Sequence, residues 1–232
     1  MDYTTWEPFY RTIAQEFHFS YERETQAALL LNSLLHNKQR CPVSALEHLL
    51  NNQEIIICGA GPSLSTSLIT YQEKLRKNLV ITADGATTAV LEQGRIPDII
   101  VTDLDGKVSD QINACKQGCI VIIHAHGDNT DLLQRYVPQF PGLLMGTTQI
   151  DPTPFTLLHN YGGFTDGDRA VFLASHFHAH PINLVGFDWG SEIGRYSFPS
   201  RKNKSLKRRK LHWCQQLIDT IETDADIRFL KP

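Results

Sequence analysis

The chain has 232 residues, 41% of them hydrophobic and 20% charged, with a formal net charge of −3; that is enough for a buried core in one domain with a small appendage, and it argues against a general nucleic-acid binder. Its longest apolar runs, such as "CIVIIHA", are too short to span a bilayer, and the start "MDYTTWEPFY" lacks the basic and apolar regions of a signal peptide. Five irregularly spaced cysteines fit reduced thiols, so a cytoplasmic setting without membrane attachment is expected.

Residues 1–52 read as a helical N-terminal segment. "YERETQAALLLNSLLHN" places Ala28, Leu31, Leu34 and Leu35 at helical spacing, with Ser20 as N-cap. "CPVSALEHLLNN" reads as a second short helix that begins near Pro42 and stops at the Asn pair. This segment carries no evident chemistry and is expected to pack as a cap on the remainder of the chain.

From residue 53 to 232 the texture is that of an α/β domain. "EIIICGAG", "NLVITADG", "PDIIVTDLDG", "CIVIIHAHGDN" and "PINLVGFDWG" are apolar strands, and amphipathic stretches separate them. "GFTDGDRAVFLASHFHA" is a loop entering a helix. Repeated strand-then-helix units predict a mainly parallel sheet with helices on both faces. Cys115 and Cys119 lie one helical turn apart, but no second Cys or His pair completes a zinc site.

Each predicted strand ends in small or polar residues: 59–63, 83–85, 102–106, 124–129 and 186–188. In an open parallel sheet these carboxyl ends share one edge, where ligands bind. Asp98 stands about 16 Å before Asp103 at the rise of a strand, so it reads as a turn residue at the opposite end. Asp103 and Asp105, if extended, point to one side and could share a hard cation. Oxygen ligands alone favour Mg²⁺ over zinc. The competing reading is a solvated Asp-Gly turn.

The other loops are ambiguous one by one. Gly59, Gly61 and Ser63 in "GAGPS" would let backbone N–H groups approach phosphate, or are glycines of an ordinary tight turn. In "GGFTDGDR", Thr165 or Asp166 can cap a helix, yet Asp166, Asp168 and Arg169 together exceed what a cap needs. "HAHGDN" offers His126 either to a transition metal or to hydrogen bonds with ligand and neighbouring loops. "RKNKSLKRRK", residues 201–210, gathers seven basic residues. Such a run can be a solvated face or a nucleic-acid patch, but its position after "GFDWG" is better explained by a mobile basic loop that closes on polyphosphate.

Taken in order, "GAGPSL", "ADGATTAVLEQGRIPDIIVTDLDG", "HAHGDN", "GGFTDGDRAVFLA", "GFDWG" and "KRRKL" resemble the archaeal 6-hydroxymethyl-7,8-dihydropterin diphosphokinases of the MptE type. The acidic motifs are also distantly similar to those of thiamin pyrophosphokinases, with "DLDG" in place of an Asp-x-Asp-Ser ending. The resemblance implies a thiamin-pyrophosphokinase-like fold. It also implies diphosphate transfer from ATP to 6-hydroxymethyl-7,8-dihydropterin with release of AMP, Mg²⁺ dependence, and a place in tetrahydromethanopterin or folate biosynthesis. By position, Asp103 and Asp105 match acids at Mg²⁺–ATP, Asp166 and Asp168 a second acidic motif, and Asp84 with Gly85 the Asp-Gly of the second strand end. Thr165 joins the phosphate-binding set, and Arg169, Lys204, Lys207 and Lys210 would offset phosphate charge. Asp166, Asp168 and His126 are candidates for a general base. The pterin ring could meet Phe164, Phe187, Trp189, Asp188, His126 or Asn129, each of which serves equally well as core or loop support. Rival readings are a thiamin pyrophosphokinase, an Asp-x-Asp nucleotide-sugar glycosyltransferase, and a nucleic-acid module resting on 201–210. No nucleic-acid partner is expected, and homo-oligomerisation is left open.

Overall fold

The computed structural model describes residues 1–190, 192–197, 204–221 and 225–232. All five apolar runs read as strands form strands: β1 (Ile55–Cys58), β2 (Leu79–Ala83), β3 (Ile99–Thr102), β4 (Ile120–Ala125) and β7 (Ile182–Val185). Three more join them: β5 (Leu144–Thr148), β6 (Leu158–His159) and β8 (Ile227–Phe229). The sheet has eight strands in the order β6-β5-β4-β3-β2-β1-β7-β8, and every neighbouring pair is parallel. Strand β5 lacks an unbroken apolar signature because Gly146 sits in it. A Cβ there would come within 2.5 Å of side-chain carbons of both Leu158 and Leu35, so glycine lets a strand and a helix close in from two sides.

Side chains of one strand alternate between two cores, as a twofold period requires. Ile55 and Ile57 pack into the larger cluster, while Ile56 and Cys58 pack into a second cluster with Leu64, Leu68 and Val90. Helices α4 (Leu64–Thr70) and α6 (Ala86–Glu92) cover the second face. Helix α9 (Asp166–His176) lies against the central strands on the first face, and α10 (Lys204–Ile221) packs on α9. Both faces are therefore dry, which is why the strands read as unbroken hydrophobic runs.

The N-terminal helices are α1 (Tyr3–Phe17), α2 (Tyr21–Leu35) and α3 (Val43–Leu50). Ser20 caps α2 by accepting from Arg23 N at 3.4 Å, and α3 follows Pro42 and ends before Asn51. The segment shares the larger core with the sheet through Trp6, Ile13, Leu31 and Leu46. Cys41 N donates to Leu144 O at 2.8 Å, stitching it to β5. No helix among the described residues is long and apolar enough to cross a membrane.

The chain builds outward from β1 through β2 to β6, then returns to the other side of β1 as β7. Strand order reverses between β1 and β7, which opens a crevice at the carboxyl edge.

Candidate active site

A cavity of about 320 Å³ occupies that crevice, lined by the loops after β1, β2, β3 and β7, by the start of α9, and by α10. One carboxylate oxygen each from Asp84, Asp103 and Asp166 comes within 4.8 Å of the other two. The fold produces this convergence from three separate stretches. Asp84 follows β2 in the left-handed region at φ +38°, and its Oδ1 accepts from Thr102 Oγ1 at 2.7 Å and Gln111 Nε2 at 2.8 Å. Asp103 follows β3, and Asp166 opens α9. Gly106, which ends "DLDG", passes so close to Asp84 that a Cβ would sit 2.3 Å from its Oδ2.

Asp166 is the least comfortable of the three. Its side chain is 14% exposed, and its Oδ1 lies 3.5 Å from Arg169 Nη1 without a hydrogen-bond partner among the described residues. Burial, followed by the carboxylates of Asp103 and Asp84, pushes its carboxyl well above the usual Asp range against the pull of Arg169. Three acids held together in a poorly solvated site repel one another. A hard cation among them relieves that repulsion and accepts the oxygens, so the donor set fits Mg²⁺.

Asp105 was expected to share the ion with Asp103 on an extended strand. The strand ends at Thr102, and Leu104 turns left-handed at φ +70° with its N–H on Thr102 Oγ1. Asp105 lines the cavity beside Asp103, its N–H donating to Asp103 Oδ1 at 3.2 Å, but its carboxylate is not one of the trio. Asp84, expected among phosphate contacts, takes the place beside Asp103.

Asp168 is also differently used. It is fully buried as the third residue of a capping box on Thr165, its Oδ1 accepting from Thr165 N at 2.8 Å and its Oδ2 from Phe164 N at 2.5 Å. It shapes the loop and does not line the cavity. In the glycine loop Gly59 and Gly61 line the cavity and Ser63 does not, and the N–H groups of all three are already engaged. Gly59 N donates to Val185 O at 2.9 Å, Gly61 N to Gly186 O at 2.8 Å, and Ser63 N and Oγ to Asp188 Oδ2 at 2.9 and 2.8 Å. Those donors hold the β1 and β7 loops together and do not point at a phosphate chain. Glycine is needed at 61 because a Cβ would lie 2.5 Å from Gly186 O.

Of the ring-binding candidates, Phe164, Phe187 and Trp189 line the cavity, as does Asp188 despite its bonds to Ser63. Asn129 is buried, donating to Asp103 O and His124 O and accepting from His126 N. His126 places Nε2 3.5 Å from Asp103 Oδ2. Neither residue lines the cavity; both support the acid loop.

Lys207 and Lys210 line the cavity from one face of α10, and Lys210 Nζ stands 5.5 Å over the Phe164 ring. Lys204, one turn earlier, is exposed and does not line it. The basic run is thus helical from Lys204 onward instead of a loop; its first three positions, 201–203, lie outside the described residues. Arg209 docks the helix on α1, with Nε 3.0 Å from Glu16 Oε1 and its guanidinium 4.7 Å from the centre of the Phe17 ring. Tyr196, which also lines the cavity and bonds Glu92, was not foreseen, since nothing in "GRYS" marks it.

A family model described as MptE-like 6-hydroxymethylpterin diphosphokinase matches residues 32–194. Three relatives are each called 6-hydroxymethyl-7,8-dihydropterin pyrophosphokinase. That of Methanothermobacter thermautotrophicus is 41% identical over 98% of both chains. Those of Methanocaldococcus jannaschii and Pyrococcus furiosus are 38% and 36% identical, covering all of this chain and 100% and 99% of their own. Among solved structures, the MAf glycosyltransferase from Magnetospirillum magneticum AMB-1 matches with a TM-score of 0.50 and 13% identity over 91% of this chain and 38% of that one. At that identity the likeness concerns the fold alone. The chain belongs to the MptE-like 6-hydroxymethylpterin diphosphokinase family.

Proposed function

We propose that this chain transfers diphosphate from ATP to the hydroxymethyl group of 6-hydroxymethyl-7,8-dihydropterin, with a divalent cation, Mg²⁺ by its ligand chemistry, held by Asp84, Asp103 and Asp166. The observation that carries the reading is the convergence of these three carboxylates on a cavity that Lys207 and Lys210 also line. In the reaction the hydroxymethyl oxygen forms a bond to the β-phosphorus and gives up its proton, the bond from that phosphorus to the oxygen bridging it to the α-phosphorus breaks, and AMP departs. Transfer of this kind depends on alignment and on neutralising charge over the phosphate oxygens. A bound Mg²⁺ would supply much of that neutralisation. Lys207 and Lys210 add fixed positive charge from α10, while Arg169 restrains Asp166 at 3.5 Å. Phe164, Phe187 and Trp189 offer aromatic faces for a flat heterocycle. The reading carries with it a cytoplasmic location and a step towards tetrahydromethanopterin or folate.

The test is AMP release from ATP and Mg²⁺ across 6-hydroxymethyl-7,8-dihydropterin, its oxidised pterin alcohol and thiamin, with nucleotide-sugar hydrolysis in parallel. AMP is expected with the dihydropterin. Release with thiamin alone, or turnover of the nucleotide sugar alone, would replace this reading.

The two cavity-facing lysines give a sharper expectation. Losing one charge-assisted phosphate contact costs about 1.5–3 kcal/mol, or roughly ten- to hundredfold in kcat/KM. Lys207→Ala and Lys210→Ala should each show such a loss, chiefly as a raised KM for ATP, while Lys204→Ala should stay close to wild type. Unchanged kinetics accompanied by lost, steeply salt-dependent RNA binding would assign the run to nucleic acid.

A further inference from the structure

We propose that Glu24, on α2 of the N-terminal segment, is a positioning residue that holds two members of the acid trio at once. The inference rests on the reading that Asp84, Asp103 and Asp166 bind a divalent cation. Glu24 is a carboxylate 2% exposed, far from the cavity in sequence and absent from its lining. A buried acid is costly unless its oxygens are satisfied, and here both are. Oε2 accepts from Gln149 Nε2 at 2.9 Å, and Oε1 accepts from Gly127 N at 3.0 Å.

Each bond begins an arm. On the first, Gln149 Oε1 accepts from Arg169 Nη2 at 3.3 Å, and Arg169 Nη1 lies 3.5 Å from Asp166 Oδ1. The polarity of this arm is fixed at both ends, because a carboxylate only accepts and a guanidinium only donates. Gln149 must therefore turn its NH₂ to Glu24 and its carbonyl to Arg169. On the second arm, Gly127 sits inside the loop after β4. Its neighbour His126 donates its N–H to Asn129 Oδ1 at 3.1 Å, Asn129 Nδ2 donates to Asp103 O at 2.9 Å, and His126 Nε2 lies 3.5 Å from Asp103 Oδ2. The contact is intimate: a Cβ on Gly127 would lie 2.8 Å from Arg23 Cβ and 3.2 Å from Glu24 Oε1. One acid in a helix with no other evident chemistry thus sets the orientation of Arg169 and the seat of Asp103.

Glu24→Gln keeps the shape and breaks the polarity. An amide can accept on one side only, so its NH₂ must face either the Gly127 N–H or Gln149. In the second case Gln149 flips and presents donors to Arg169. Partners that orient metal ligands typically cost 10–100-fold in affinity when changed, so Glu24→Gln and Gln149→Met are each expected to weaken Mn²⁺ binding to the intact, ATP-free protein by about 10–100-fold. The loss should appear in folded protein, at temperatures well below each variant's melting point. Should Glu24→Gln not fold, Gln149→Met carries the same test. Asp166→Asn is the reference. If it loses Mn²⁺ while Glu24→Gln and Gln149→Met bind at wild-type affinity, Glu24 is only architectural and the proposal fails alone. If Asp166→Asn itself binds like wild type, the acid-trio reading fails and takes the proposal with it.

Discussion

Asp166→Asn should abolish diphosphate transfer and yet melt no lower than the wild type in the absence of a divalent cation. Burial and two neighbouring carboxylates hold the Asp166 carboxyl well above its ordinary range. The folded state therefore binds this proton more tightly than the unfolded chain does. Its contribution to stability is fully present below the ordinary Asp value and is lost as pH rises through the elevated folded value. Above that elevated value the ionised side chain is a burden on the cation-free fold, and Asn removes it. Adding Mg²⁺–ATP should then raise the melting temperature of the wild type and leave Asp166→Asn unmoved. Asp168→Ala should behave in the opposite way. It strips the acceptor from the Phe164 and Thr165 N–H groups, a loss of about 1–3 kcal/mol per orphaned donor, worth roughly 2–4 °C per kcal/mol in a chain of this size. Whatever folds should still respond to Mg²⁺–ATP. Thermal melts with and without Mg²⁺–ATP, beside AMP release, separate the two residues. A destabilised but active Asp166→Asn would sink the assignment.

The second large effect concerns the strand end. Asp84→Asn and Asp103→Asn should each lower turnover by roughly 10²–10³-fold, the size of losing one preorganised charge contact, with the fold intact by circular dichroism. Asp105→Asn should be milder, since Leu104 turns its neighbour out of the trio. Asp98 offers the control within the same strand unit. Its Oδ2 accepts from Val80 N and Arg95 Nη2, both at 2.8 Å, at the amino end of the sheet. Asp98→Asn should lower the melting temperature and leave turnover untouched. Equal kinetic losses at positions 98 and 103 would mean that net charge, not location, explains the acids.

The sheet was legible wherever a strand was buried on both faces and long enough to leave an apolar run, as in "EIIIC" and "CIVIIHA". Strand β5 escaped because glycine is there for close packing, and β6 and β8 because two and three residues leave no period to count. The site was legible as an edge and as a set of acids, but not as a geometry. Membership in the trio turns on the backbone dihedrals of Leu104 and Asp84, which no spacing rule predicts. Asp168 and Asp166 look equivalent in "TDGD", and only the capping box separates them. Glu24 was hidden most completely: it lies in an ordinary amphipathic helix, and its partners, Gly127 and Gln149, are more than a hundred residues away.

The two shortest strands, β6 with two residues and β8 with three, are the ones that border the sheet. A long parallel sheet with an open flank would offer a foreign strand a full row of backbone donors and acceptors. Here an incoming strand would find a ladder of two or three rungs at either flank. Two copies of this chain joined flank to flank would share so few backbone bonds that the ladder could not hold them. Backbone pairing at its borders is therefore a poor means of joining this sheet to another.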